Sequence, residues 1–146
     1  MLYIGKINRH LFETITLDLR TDEVVLSDTQ IKHVKSHHPG SFEAYVGYLT
    51  EIIQAPDYIL EANKPNTALI LKVFHINGKY FKLVLRLQTS NDPPHYKNSI
   101  ITFMKIDDKE WSRLLHNKKC RFVNHMLHKR EKEKGPHEEI STREGA

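Results

Sequence analysis

The sequence predicts one α+β domain, with a pair of N-terminal helices laid on one face of an antiparallel sheet of about four strands. Three observations carry this. Apolar residues from Phe42 to Ile53 recur at helical spacing, whereas those of 68–88 and 99–106 alternate in twos. An Asn77-Gly78 pair stands between two of the alternating runs, a strong hairpin mark.

Residues 3–26 read as extended. From Glu13 to Leu19, Ile15, Leu17 and Leu19 alternate with Thr14, Thr16 and Asp18, a half-buried strand pattern. Thr21-Asp22-Glu23 turns into a short Val24-Val25-Leu26 strand. The first helix follows. Ser27 caps it, Gln30 closes a capping box, and Pro39-Gly40 ends it. On this helix Gln30, His33 and His37 share one stripe, and Ile31, Val34 and His38 another. Ser41 opens the second helix, in which Phe42, Tyr45, Val46, Leu49, Ile52 and Ile53 form one apolar face; Gln54-Ala55 adds nothing to it and Pro56 ends the helix.

The period then changes. Asp57–Glu61 is a short strand and Lys64-Pro65-Asn66 a turn. Ala68–Ile76 and Lys79–Gln88 are the arms of the hairpin, Asn91-Asp92-Pro93-Pro94 a loop, and Ser99–Ile106 a further strand. Asp107 and Glu110 form a helix cap ahead of Trp111, Leu114 and Leu115. Cys120–Val123 is expected as a last edge strand. The domain is taken as residues 1–125. Residues 126–146 are charged and nearly free of apolar side chains, and are expected to be a disordered tail.

A two-residue turn at Asn77-Gly78 pairs Ile76 with Lys79, Phe74 with Phe81 and Lys72 with Leu83. One face then carries Ile70, Phe74, Ile76, Phe81, Leu83, Leu85 and Leu87. The other carries His75, Tyr80, Lys82, Val84, Arg86 and Gln88, and is expected to stay open. Arg86 projects from it in mid-sheet. Lys72 falls among apolar residues, so either it snorkels or a bulge turns it over. Ser99 and Thr102 fall on opposite faces unless their strand bulges.

The net charge of +4, a sequence pI near 9.1 and ten histidines favour a polyanionic partner, nucleic acid above all. A single cysteine, Cys120, excludes an internal disulfide and suits a reducing compartment. No apolar run is long enough for a membrane span, and the N-terminus lacks the apolar core of a secretion signal; a cytoplasmic location is expected. His33, His37 and His38 sit on or at the end of one short basic helix, and imidazole is the side chain that exchanges protons most readily near neutrality.

Asp28-Thr29-Gln30-Ile31-Lys32-His33-Val34 with His38-Pro39 resembles a motif of the phage-associated barnase–EndoU–colicin–RelE-like nuclease domains. So do Ile4-Gly5-Lys6-Ile7, Pro56-Asp57-Tyr58-Ile59-Leu60, Leu83-Val84-Leu85-Arg86-Leu87 and Asn98-Ser99-Ile100-Ile101-Thr102-Phe103; together they span roughly residues 3 to 123. The chain departs from that pattern at Gln30, where a basic residue is usual, and at His37, where an arginine is. The resemblance implies a metal-independent endoribonuclease, often a toxin, that needs no cofactor. It implies a catalytic set of His33, His38, Arg86, Ser99 and Thr102.

RNA carries its own nucleophile, the 2′-hydroxyl. Cleavage needs a base for its proton, an acid for the departing 5′-oxygen and cations for the phosphorane, and leaves a 2′,3′-cyclic phosphate. His33 is the candidate base and His38 or His37 the candidate acid. Arg86 is the phosphate fork, and Thr102 or Ser99 the hydrogen-bond donor to a phosphate oxygen. His37, Lys72, Lys82 and Tyr80 are candidate RNA or phosphate contacts. His33 and His37 also have the i, i+4 spacing of zinc ligands, but the glutamate of the zinc-protease pattern and a third ligand are missing, so no metal is expected. RNA is the expected partner, and a toxin would also need a neutralising protein. The alternatives are a non-catalytic RNA-binding module and a protein-interaction domain on the same scaffold.

Overall fold

The computed structural model describes residues 1–75 and 77–124. Seven strands, β1 (Leu2–Lys6), β2 (Glu23–Leu26), β3 (Tyr58–Glu61), β4 (Thr67–Phe74), β5 (Lys79–Arg86), β6 (Asn98–Ile106) and β7 (Cys120–Val123), form one sheet in the order β1-β2-β6-β5-β4-β3-β7. It is mixed, because β2 runs parallel to β6 while the other pairs are antiparallel. The expected four-stranded antiparallel sheet is therefore its centre, widened at both edges.

The helices are α1 (Arg9–Phe12), α2 (Asp28–His37), α3 (Ser41–Tyr45), α4 (Leu49–Gln54) and α5 (Asp108–Asn117). Ser27 caps α2 as its sequence predicts, its Oγ accepting the Gln30 N–H at 3.2 Å. The second expected helix is broken. A 3₁₀ turn, Val46–Tyr48, containing Gly47, separates α3 from α4. The segment read as a strand from Glu13 to Leu19 is not one. Asn8 caps α1, and the Ile15 and Thr16 N–H groups both donate to the Phe12 carbonyl, closing turns. Phe12 and Leu19 are buried there, whereas Leu17 is 85% exposed, which breaks the apparent alternation.

One sheet face holds the larger core, in which Ile70, Phe81, Leu83, Leu85, Ile100 and Phe103 meet Phe12, Val34, Leu49, Ile52 and Ile53 of the N-terminal helices. The opposite face is not bare, as expected, but partly roofed by α5. Trp111 and Leu114 pack there on Leu69, Leu71, Val73 and Ile106. Helices thus lie on both faces. The physical reason is visible in β4, where every residue from Thr67 to Val73 is buried. A strand apolar at successive positions needs cover on both sides.

The hairpin register also differs. Phe74 pairs with Lys79, and Lys72 with Phe81, so the connection spans 75–78. Asn77 and Gly78 lie within this longer loop, where the Asn77 side chain accepts the Lys79 N–H and Gly78 takes φ +65°. A shift of two residues leaves every side chain on its expected face. Lys72 accordingly stays on the larger-core face. It is buried, and its Nζ donates to the Ala55 carbonyl at 2.7 Å and lies 3.7 Å from the fully buried Asp57. Ile76, expected opposite Lys79, and the tail 126–146 lie outside the described residues.

Candidate functional site

The site is built by an irregularity in β6. Val84 pairs with Thr102 and Leu85 with Ile100, so Ile101 is an extra residue, a β-bulge. Ser99 pairs with Arg86 in the next register position. The bulge therefore returns Ser99 and Thr102 to one face, which is the face of Arg86 and the one that α5 covers only in part. Thr67 on β4 pairs with Arg86 from the other side, and Val25 on β2 pairs with Ser99. Val25, Ser99, Arg86 and Thr67 thus form a row across four strands.

Arg86 is held from one side only. Its Nη1 and Nη2 donate to the two carboxylate oxygens of Asp92 at 3.2 and 2.9 Å, and Nη1 also donates to the Leu87 carbonyl. Asp92 is fixed in turn by the Thr89 N–H at 2.8 Å and the Thr89 hydroxyl at 3.0 Å. The Thr89 backbone N–H, more than any other neighbour, lowers the Asp92 pKa below its ordinary value, and Thr89 Oγ and Arg86 act in the same direction. A guanidinium has five N–H groups. Asp92 takes the end-on fork, and the side-on pair, Nε–H with the second Nη2–H, has no protein acceptor among the described residues. That pair has the geometry for bidentate capture of a phosphate.

Cavities open on either side of the Arg86–Ser99 pair. One, of about 630 Å³, is lined by Arg86 and Thr102 with Leu69, Val84, Ile101 and Lys118. The other, of about 420 Å³, is lined by Ser99 with Val25, Ser27, His95 and Tyr96. Arg86 and Thr102 serve the first and Ser99 the second.

The predicted histidines lie elsewhere. Val34 seats α2 in the larger core, so the helix runs over the sheet face opposite to Arg86. His33 and His37 are exposed on its outer side, their ring centroids 4.1 Å apart. The His37 Nδ1 lies 3.0 Å from the His33 carbonyl, an acceptor, so Nδ1 is the donor in this contact; the Ser36 hydroxyl lies 3.1 Å from the same nitrogen. His38 ends the helix, its backbone N–H donating to the Val34 carbonyl. The structure therefore brings Arg86, Ser99 and Thr102 together and keeps His33, His37 and His38 on the other side of the sheet.

Of the remaining candidates, Lys72 is on the core side. Lys82 and Tyr80 share the Arg86 face but lie under α5, where Lys82 is 3.9 Å from Glu110 and the Tyr80 ring centroid 4.9 Å from that of Trp111. Among the described residues no group of three or more His, Cys, Asp and Glu side chains is placed to hold a metal ion. Asp92 and His95, which line cavities beside the Arg86–Ser99 pair, were given no role in the reading of the sequence. Asp92 was legible as the polar residue of an Asn-Asp-Pro-Pro turn, where aspartate binds nearby backbone. His95 carried no local mark, being set by its φ of +73° and the fold of the loop.

A nuclease family model, phage-Barnase-EndoU-ColicinE5/D-RelE like nuclease2, matches residues 4–121. The chain belongs to this nuclease family. The match runs from within β1 through β6 and α5, and so includes Arg86, Asp92, Ser99 and Thr102. No curated protein and no solved structure matches the chain. A nuclease of this family acts on nucleic acid, which agrees with the basic charge. No helix among the described residues is long and apolar enough to cross a membrane.

Proposed function

We propose that the protein is a metal-independent endoribonuclease that cleaves RNA by 2′-hydroxyl attack, and that the scissile phosphate binds at Arg86, Ser99 and Thr102. The observation that carries this reading is the bulge at Ile101, which returns both hydroxyls to the face of the half-occupied Arg86 guanidinium. In this reading the free side-on fork takes two phosphate oxygens, and a hydroxyl takes a third. As the 2′-oxygen attacks, negative charge builds on the phosphorane in the cavity that Arg86 and Thr102 share, with Ser99 flanking it from the next cavity. His33 as base and His38 or His37 as acid remain the assignment drawn from sequence, and α2 holds them across the sheet from this cradle.

The test is incubation of the purified chain with total RNA in EDTA, beside Arg86→Ala. Cleavage to 2′,3′-cyclic phosphate ends, reduced on the order of 10²-fold or more without Arg86, is expected. Cleavage that needs added metal and leaves 3′-hydroxyls would overturn the mechanism. The reading extends to a cytoplasmic toxin of a phage or mobile element, held in check by a neutralising protein. Expression of the native chain should then arrest growth, and Arg86→Ala should relieve it. A second reading, a non-catalytic RNA-binding module, is favoured by Asp92, which already occupies half of the guanidinium. It predicts a salt-sensitive gel shift with intact RNA.

A further inference from the structure

The proposed chemistry moves two protons at a cradle from which the helix histidines are separated by the sheet. His95 is on the cradle's side. We propose that His95 is a proton-transfer residue of the Arg86 site, an inference that rests on the nuclease reading above.

The β5–β6 connection bears it there. This loop is tied down along its length. Its Gln88 N–H donates to Asn98 Oδ1 at 2.7 Å, and the Gln88 side chain donates to the Pro93 carbonyl at 2.8 Å. Asp18 accepts the Ser90 N–H at 3.0 Å, and Asp92 grips Arg86 itself. Lys97 is ion-paired with Glu23. Between these anchors His95 is held at φ +73°, a conformation that costs a histidine and persists only where the surroundings enforce it. Two prolines, Pro93 and Pro94, precede it and limit how the chain can relax. The result is an exposed imidazole lining the cavity onto which Ser99 opens, and Ser99 is the register partner of Arg86.

Cleavage forms the 2′-O–P bond and breaks the P–O5′ bond. The 2′-hydroxyl proton passes to a base, and the departing 5′-oxygen receives a proton from an acid. His95 performs one of these two transfers. The charged and titratable residues lining its two flanking cavities are Arg20, Asp92, Tyr96 and Lys97, together with Met1, whose terminal amino group is ion-paired with Asp28.

The experiment follows cleavage of a fluorophore–quencher oligoribonucleotide in EDTA by the full chain and by His95→Ala, His95→Gly and His33→Ala. Both His95 variants should lose about 10²–10⁴-fold in kcat with little change in KM. The His95→Ala pH–rate profile should lose one limb, the acidic limb if His95 is the base and the basic limb if it is the acid. Glycine tolerates positive φ, so His95→Gly should melt no lower than the native chain. Its kcat should be restored by added imidazole, which a purely structural role would not allow. A native chain that cuts RNA while the His95 variants cut equally well would overturn the assignment and leave the nuclease reading standing. So would loss of activity in His33→Ala alone. A native chain that cuts nothing would overturn both.

Discussion

Arg86 binds through shape as well as charge. Asp92 holds one edge of the guanidinium, which fixes the plane of the other. Arg86→Lys should therefore keep the charge and lose the fork. Its RNA affinity, read by gel shift, should change far less than its cleavage rate; equal loss of both would mean that Arg86 only attracts the polyanion. Asp92→Asn removes the orienting charge and should lower kcat on the order of 10²-fold, the scale of an ångström-level misplacement. Asp57 is the opposite kind of residue. It is fully buried, accepts the Val73 N–H at 2.8 Å and faces the buried Lys72 ammonium at 3.7 Å. Asp57→Ala leaves that cation without its closest carboxylate and should destabilise the chain by about 3–5 kcal/mol in urea unfolding. A loss below 1 kcal/mol would mean that Glu51, 3.9 Å away, suffices for Lys72.

At the scale of elements, local marks were legible and non-local ones were not. Asp107 caps α5 through the Glu110 N–H at 2.8 Å, as Asp107 and Glu110 announce in sequence. Asp107→Ala should cost about 1 kcal/mol. Gly47 is where the helix expected over 41–56 breaks, and a Cβ there meets nothing within 4 Å. Gly47→Ala should thus raise stability by about 0.4–1 kcal/mol, because it restricts the unfolded chain; a fall in melting temperature would contradict the open space. Strands β4, β5 and β6 and the edge strand β7 were readable from alternation and apolar runs. The parallel β2–β6 pairing and the roof of α5 were not, since each depends on segments distant in sequence, and the hairpin register was missed because Phe74 pairs with Lys79 across a four-residue connection where Asn77-Gly78 suggests a two-residue turn. The bulge at Ile101 belongs with these. Ser99-Ile100-Ile101-Thr102 reads as plain strand, and only pairing with β5 reveals the extra residue. Arg86 was read onto the face it occupies because the hairpin faces were right even with the register two residues out. The histidines of α2 attracted attention by density, but the helix that bears them was drawn to the other face by Val34.

For the whole molecule, the sheet separates a core sealed by the N-terminal helices from a face whose loop is fastened largely by carboxylates at its rim. Hydrogen bonds from Ser90, its hydroxyl before its N–H, hold the Asp18 pKa below its ordinary value, and the Lys97 ammonium does the same for Glu23. The Thr89 N–H lowers Asp92. A carboxyl whose folded pKa lies below its unfolded one adds stability above the unfolded value, and that contribution drains away as pH falls through the folded value. Acid should therefore release the loop from Thr89 to Lys97 first. The larger core, built from apolar residues such as Ile70, Leu83 and Phe103, has no comparable dependence. Amide exchange, corrected for the intrinsic effect of pH, should show residues 89–97 losing protection below about pH 4 while β4 and β5 keep theirs. The cleavage that remains on the acid side of a histidine limb should fall further over this range, because Asp92 and Arg86 separate as Asp92 takes up a proton. Loss of protection in loop and core at one common pH would mean that these ion pairs fasten the whole fold and not the site alone.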